Sequence, residues 1–169
     1  MRIRQAEPSE AEVLWQLAQQ TYVAAFGHSM SAADLAAHLA QHLSLRHIEA
    51  MLADDTLLVA EANGRLVGFV QLGKGQFEGP CPDAWELRRL YVLAKFQNKG
   101  IGNMLMKAAL THPNLTSADC IYLDVWEHNH GAQRLYARHG FEVVDKRRFV
   151  LESGEEGDFD LIMVRRRLT

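Results

Sequence analysis

The spacing of apolar residues changes along the chain and separates stretches of different predicted structure. Before position 55 the apolar residues recur every three or four positions, as Leu14, Ala18 and Tyr22 do, which is typical of amphipathic helices. From position 56 they form short β-rich runs, and beyond position 92 helical and strand-like stretches alternate. The pattern therefore predicts a domain in which helices and strands interleave.

Local signals indicate where these elements begin and end. The run from Ser9 to Glu12 has the form of a capping box, and Ser31 is a predicted N-cap of a second helix. Asn63-Gly64 is a hairpin signal, and Gly140 is a predicted helix C-cap. Helices are predicted to about residue 26, from 31, around 48–52, from about 100 and over 129–138, with strands at 2–5, 56–62, 66–72, 85–92, 120–125, 141–151 and 159–166.

Hairpins at both ends of this order preclude an all-parallel sheet. We therefore expect a mixed sheet covered by helices. The length of 169 residues suits one domain, which we predict to span residues 1–169.

Composition and charge narrow the classes of function. The chain has 18 Lys and Arg against 21 Asp and Glu, so no overall basic field favours nucleic acid, and the arginines at 165–167 are expected to be a solvated strand end. No apolar run is long enough to span a membrane, and the first residues do not resemble a signal peptide. Cys81 and Cys120 lack a CxxC spacing, so we expect reduced thiols in a cytoplasmic protein.

The segment with the clearest chemistry is a strand that passes through a glycine-containing loop into a helix. Gly100 and Gly102 let a ligand approach the backbone, and the free N–H groups of a helix start favour an anion such as a pyrophosphate. A dinucleotide fingerprint would need glycine at Leu105, and a Walker A motif would need Lys-Ser/Thr after its last glycine. The alternative is a helix start with permissive glycines and no ligand.

Two motifs in order give this segment a family resemblance. Gln97-x-x-Gly100-x-Gly102 follows a Leu-Tyr-Val strand and resembles the acetyl-CoA signature of the GNAT N-acetyltransferase superfamily. A second stretch, from the Leu-Asp-Val run at 123–125 through Asn129 and Tyr136 to Gly140-Phe141, resembles that family's second motif. The resemblance covers residues 84–144, with Ala94 where the family often has proline. It implies a three-layer α+β GNAT fold, with a mostly antiparallel mixed sheet, helices on both faces and acetyl-CoA as co-substrate.

By this resemblance, the strand backbone ending at Val92 pairs with the pantetheine arm, and backbone N–H groups from Asn98 to Asn103 hold the pyrophosphate, with Lys99 nearby. Asn129 is then a pantetheine contact, although an N-cap alone is the alternative. The expected cofactor residues are Leu90, Tyr91, Val92, Gln97, Asn98, Lys99, Gly100, Ile101, Gly102, Asn103, Asn129 and Tyr136.

The resemblance also assigns catalytic roles. Tyr136 becomes the general acid for the leaving thiolate, because a tyrosine pKa of about 10 exceeds a thiol pKa of about 8.5. The amine must lose a proton, for which Glu86 is the first candidate base and Asp124 the second. A core tyrosine and exposed strand charges are the alternatives. Oxyanion stabilisation is expected from a backbone N–H near Val92.

The remaining signals concern metal and acceptor. His38 and His42 are four residues apart, but no third ligand is evident and no metal is predicted. The acidic stretch at 152–160 is either a solvated loop or an attraction for a cation, and the strands at 86–92 and 160–164 resemble PaiA-type spermidine/spermine N-acetyltransferases. We expect a small-molecule amine acceptor, no nucleic acid or membrane partner, and a homodimer by resemblance alone. The alternatives are a non-catalytic acyl-CoA sensor and a protein or peptide amine acetyltransferase.

Overall fold

The computed structural model describes residues 1–76, 81 and 83–167. It divides into two compact units, one of Met1–Gln71 with Arg89–Ala108 and one of Leu72–Arg88 with Ala109–Thr169. The prediction that all 169 residues form one domain stays a prediction. No helix within the described ranges is long and apolar enough to cross a membrane.

Seven strands and six α-helices make up the described part of the chain. The strands are β1 Arg2–Gln5, β2 Thr56–Ala62, β3 Arg65–Lys74, β4 Ala84–Val92, β5 Cys120–Trp126, β6 Glu142–Val150 and β7 Glu156–Arg166. The helices are α1 Ala11–Phe26, α2 Ala32–His42, α3 Leu45–Asp54, α4 Ile101–Leu110, α5 Pro113–Thr116 and α6 His130–Arg138. The strand order is β1-β2-β3-β4-β5-β7-β6.

Strand directions confirm the mixed sheet. β1 pairs with β2, β5 with β7 and β6 with β7, in each case antiparallel, whereas β4 and β5 are parallel. The β4–β5 register joins Ala84 to Cys120 and Glu86 to Tyr122. A parallel neighbour requires a long connection, and the residues between β4 and β5 include α4 and α5.

In the first unit, helices cover both faces of the strands. Phe69 of β3 is 1% exposed and belongs to a core that includes Leu14 and Leu17 of α1 and Ile48 of α3. The adjacent Gly68 faces the other way, where a Cβ would lie 3.4 Å from the side chain of Leu105 on α4. Because neighbouring strand residues point to opposite faces, α1 and α4 lie on opposite sides of β3.

Most of the local signals are confirmed, but one was misplaced. Asn63 and Gly64 have φ angles of 51° and 70°, as a tight hairpin turn requires, and the Ser31 hydroxyl accepts a hydrogen bond from the Asp34 backbone N–H. The capping box lies earlier than predicted, between Glu7 and Glu10, and Ser9 is not the cap. The cause is Pro8, which begins a short 3-10 helix before α1.

The last hairpin also begins earlier than predicted. β7 starts at Glu156 instead of residue 159, so positions 156–158 of the acidic stretch are strand residues, as Asp160 was already predicted to be. Glycine at 157 and the alternating acidic residues weaken the strand signal in the sequence. Pairing with the exposed strand β6 extends β7 to Glu156, which lies opposite Val150.

The prediction of two reduced thiols was wrong, because Cys81 and Cys120 form a disulfide bond. Cys120 is the first residue of β5 and pairs with Ala84, three residues after Cys81. The sheet therefore brings together two cysteines that are 39 residues apart in sequence. Reduced thiols therefore no longer support the expected cytoplasmic location, which stays a prediction.

Candidate active site

The residues predicted to form the site fall into both units. The cofactor segment at 90–103 lies in the first unit. Glu86, Asp124, Asn129 and Tyr136 lie in the second unit. Each group has its own local geometry.

In the first unit, two residues with positive φ turn the chain from β4 into α4. A short 3-10 helix at Ala94–Phe96 follows β4, and Asn98 and Gly100 then have φ angles of 57° and 81°. Gly100 is exposed, and a Cβ there would meet open space. Its conformation, and not crowding, is therefore what favours glycine at this position.

The start of α4 can hold an anion. The Met104 backbone N–H donates to the Gly100 carbonyl at 3.0 Å, so the N–H groups at positions 101 and 102 precede the first hydrogen bond of the helix. Ile101 is 2% exposed and anchors the helix, while the preceding residues from Gln97 to Gly100 are exposed. An exposed loop that ends in a helix N-terminus suits a phosphate group.

Side chains at the end of β4 are engaged in the protein itself. The Tyr91 ring packs against Phe69 with centroids 5.8 Å apart and against Phe26 at 6.5 Å, while a contact between its backbone and a cofactor stays a prediction. Gln97 donates a hydrogen bond of 3.0 Å from Nε2 to the carbonyl of Val92. This bond ties the loop to the strand and gives Gln97 a positioning role, while a direct contact between Gln97 and cofactor stays a prediction.

Lys99 also has a contact within the loop. Its Nζ lies 5.4 Å from the centroid of the Phe96 ring, and the Nζ of Lys95 lies at the same distance. Both ammonium groups are close enough for a cation–π contact. The loop is therefore positively charged, which favours an anionic ligand near it.

In the second unit, Glu86 and Asp124 lie on the same face of the sheet. Glu86 pairs with Tyr122 across the parallel ladder, and Asp124 follows Tyr122 by two residues on β5. The Glu86 carboxylate accepts a hydrogen bond of 3.2 Å from Arg88 Nε. Asp124 accepts one from Nη2 of Arg147, a residue of β6. Both predicted bases therefore have a guanidinium partner.

A third carboxylate on this face belongs to Asp160, which the sequence indicated only as part of the acidic stretch at 152–160 and not as a candidate base. Asp160 of β7 pairs with Trp126 of β5 on one side and with Arg147 of β6 on the other. Its side chain is half-buried, and burial raises the pKa of the Asp160 carboxyl, with Glu127 raising it further and the positive charge of Arg147 lowering it. Acidic and apolar residues alternate over 158–161, which is the sequence signal that places Asp160 on one face of a strand. The register between β7 and β5, which places that face beside Asp124, could not be predicted from the sequence.

Asn129 and Tyr136 lie at the two ends of α6. The Asn129 Oδ1 accepts a hydrogen bond of 3.1 Å from the Ala132 N–H, which confirms the N-cap alternative. Tyr136 is 6% exposed and packs against Phe141 with ring centroids 6.1 Å apart. Their roles towards cofactor and leaving group stay predictions.

The turn between β5 and α6 is tied to β7. Trp126 Nε1 donates to Asp158 Oδ2 at 3.1 Å, and the Phe159 N–H donates to Glu127 Oε1 at 2.9 Å. His128 Nε2 lies 3.8 Å from Asp158 Oδ1. These contacts fix the end of β5 beside the acidic part of β7.

Comparison with known proteins identifies a family and several relatives that are similar to this chain. The model of the acetyltransferase (GNAT) family matches residues 11–141. The uncharacterized N-acetyltransferase YhfO of Bacillus subtilis is 31% identical over 145 residues, covering 84% of this chain and 90% of its own. The spermine/spermidine N(1)-acetyltransferase of Bacillus subtilis is 35% identical over 83 residues, covering 47% of this chain and 54% of its own.

A solved structure confirms the fold. The PaiA N-acetyltransferase of Thermoplasma acidophilum, in complex with coenzyme A, has a TM-score of 0.79 and 22% sequence identity, and the match covers 98% of each chain. At this identity the likeness concerns the fold. The family match extends over more than half of the sequence and includes both predicted motifs. The chain belongs to the acetyltransferase (GNAT) family.

Proposed function

We propose that this acetyltransferase binds acetyl-CoA and transfers the acetyl group to the amine of a small cationic acceptor, with a polyamine as the favoured class. The observation on which the proposal rests is the face of the second unit that presents Glu86, Asp124 and Asp160 together. On this face Glu86 and Asp124 are paired with Arg88 and Arg147, so the charge that favours a positively charged substrate is that of Asp160 together with Asp158, because opposite charges steer association.

Support for the cofactor comes from the loop between β4 and α4. Asn98 and Gly100 have positive φ angles, the N-terminus of α4 follows, and Lys95 and Lys99 add positive charge. Helix N-termini and nearby cations both favour phosphate groups. The coenzyme A present in the PaiA structure from Thermoplasma acidophilum supports the same ligand here.

Support for a polyamine comes from charge and from one relative. Besides Asp160, β7 carries Asp158 and Glu156, both exposed. The spermine/spermidine N(1)-acetyltransferase of Bacillus subtilis matches about half of this chain. A polyamine carries several ammonium groups, so one can react while others stay close to carboxylates.

The proposed reaction is a direct attack in a ternary complex. The amine must first be neutral, because an ammonium has no lone pair, and a carboxylate takes its proton. The nitrogen then forms a bond to the acetyl carbon, and the C–S bond breaks. Tyr136 gives a proton to the leaving thiolate, as its pKa of about 10 in model compounds allows at neutral pH.

The test is mass spectrometry on the purified protein with acetyl-CoA and a pool of polyamines, amino acids, aminoglycosides and short peptides. We expect a polyamine heavier by one acetyl group, absent without protein. The matched control is the same incubation with Gly102→Glu, which is designed to lose cofactor binding. Kinetics then compare spermidine with a neutral-tailed amine at low and high salt, because screening weakens a charge-driven preference.

Each result separates the alternatives. An acetylated peptide in place of a polyamine would support a protein or peptide amine acetyltransferase. Acetyl-CoA binding without any product would support the non-catalytic sensor. A kcat/KM for spermidine no higher than for the neutral-tailed amine at low salt would contradict the cationic acceptor.

A further inference from the structure

Both carboxylates predicted as the base are neutralised by arginine. Arg88 Nε donates to Glu86, and its Nη2 donates to the carbonyl of Lys74 at 2.9 Å, so the guanidinium is fixed beside the carboxylate. Arg147 pairs with Asp124. Each of these carboxylates already accepts a hydrogen bond from a guanidinium, which occupies a position that a substrate ammonium would need.

Asp160 differs from both in its surroundings. Its side chain is half-buried on β7, and within residues 1–76, 81 and 83–167 no group donates a hydrogen bond to its carboxylate. It lies opposite Trp126, two residues beyond Asp124 on the same face of β5. A partly desolvated carboxylate without a donor holds a proton more readily than an ion-paired one.

Charged groups of three strands and one turn surround Asp160. Arg147 lies directly opposite on β6 but donates a hydrogen bond to Asp124, and it acts on Asp160 through its charge. Lys146 and Arg148 lie on the other face, over the ring of Phe159. Besides Glu86 and Arg88 farther along the same face, the groups on or beside it are Asp124, Glu127 and His128 near β5, Asp145 and Arg147 on β6, and Asp158 on β7.

The direction of these effects favours a base. Burial is the largest influence and raises the pKa of the Asp160 carboxyl, and the charge of Glu127 raises it too. The charge of Arg147 is the second largest influence and lowers the pKa, but by less than burial raises it. A base is more effective when its pKa lies closer to the working pH, because it then binds the proton more strongly.

We propose that Asp160, and not Glu86 or Asp124, accepts the proton of the acceptor's ammonium group. This inference rests on the proposed function and names a residue for it. One proton moves from the ammonium nitrogen to an Asp160 carboxylate oxygen, and the freed lone pair forms the C–N bond. The nitrogen loses its second proton to solvent as the C–S bond breaks, and Tyr136 gives one proton to the thiolate and regains one from solvent. Asp160 then releases the proton it accepted to solvent, so both side chains return to their starting state.

The experiment is the pH dependence of kcat/KM for the wild-type protein and for Asp160→Asn, with one polyamine and saturating acetyl-CoA. We expect the variant to lose about 100-fold near pH 7, the scale of general base catalysis. The loss shrinks as the pH approaches the pKa of the acceptor amine, because neutral amine then arrives without needing a base. Asp160→Glu, which keeps a carboxylate, restores most of the rate near pH 7.

Three matched variants complete the design. Glu86→Gln and Asp124→Asn are expected to lose activity by a factor that does not depend on pH. Asp54→Asn removes an exposed carboxylate at the C-terminal end of α3, in the first unit, and is expected to stay within about threefold of wild type. Circular dichroism checks that each variant is folded, and Asp160→Ser replaces Asp160→Asn if the latter is not.

The possible outcomes distinguish a failure of the proposed role of Asp160 from a failure of the proposed function. A wild-type protein that turns over, with Asp160→Asn within about threefold of it or reduced equally at every pH, overturns the role of Asp160 alone. The same holds if Glu86→Gln or Asp124→Asn shows the loss that closes at high pH. A wild-type protein without turnover overturns the proposed function and this inference together.

Discussion

Gln71 and Asp55 are joined by a hydrogen bond of 2.6 Å, from Nε2 of the amide to a carboxylate oxygen. Gln71 lies on β3 and is 1% exposed, and its amide oxygen in turn accepts a hydrogen bond of 2.6 Å from Arg89 Nη1 on β4. Asp55 is the C-cap of α3. One buried amide therefore links a helix end and two strands within the first unit.

We expect Gln71→Leu to lower the free energy of unfolding by about 2 kcal/mol, because Asp55 and Arg89 each lose their hydrogen bond to the buried amide. Urea unfolding followed by circular dichroism measures the change. Gln41→Leu is the matched control, since Gln41 is exposed on α2 and its replacement should change stability by less than about 0.5 kcal/mol. Equal effects of the two substitutions would contradict the role of the buried amide.

Gly102→Glu is expected to weaken coenzyme A binding at least about 100-fold, because a carboxylate beside the start of α4 repels the pyrophosphate and occupies its place. Isothermal titration calorimetry with coenzyme A measures the Kd. Met104→Glu adds the same side chain on the same helix, but Met104 is 38% exposed and its N–H already bonds to Gly100. The control is expected to bind within about threefold of wild type, and normal binding by Gly102→Glu would contradict the placement of the pyrophosphate.

The features that sequence predicted well depend on neighbouring residues. Asn63-Gly64 forms the hairpin turn because both residues tolerate positive φ angles, and Asn129 caps α6 through an N–H only three residues away. The loop with Gly100 follows from the same local chemistry. Such interactions join residues that are only a few positions apart, so they can be predicted from the local sequence.

The features that could not be predicted from the sequence depend on strand register. Asp160 faces Trp126 and Arg147 only because β7 pairs with β5 and β6 in one register, and the sequence does not specify that register. The Cys81–Cys120 bond likewise depends on the alignment of β4 with β5. The early start of β7 has the same origin, since pairing with β6 overrides a weak local preference for strand.

Tyr136→Phe is expected to lower kcat about 100-fold or more, with the Kd for acetyl-CoA unchanged within about twofold, because only the proton donor is removed. The ring keeps its packing against Phe141, so the substitution should leave the fold intact. Steady-state release of the coenzyme A thiol measures kcat, and calorimetry measures the Kd. Tyr22→Phe removes a hydroxyl from another buried tyrosine, 7% exposed, and should keep kcat within about threefold.

The disulfide between Cys81 and Cys120 makes stability depend on redox conditions. A crosslink between residues 39 apart restricts the unfolded chain, and its loss is expected to lower the free energy of unfolding by up to about 4 kcal/mol. Urea unfolding with and without reductant measures this, and Cys81→Ser is the control, since reductant should leave its stability unchanged. Alkylation in denaturant followed by mass spectrometry checks the bond directly: neither cysteine should react before reduction, and two alkylated thiols in the unreduced protein would contradict it.

The same bond joins the start of β5 to the segment before β4. Because Glu86 of β4 lies on the proposed catalytic face, reduction of the bond should also lower kcat/KM.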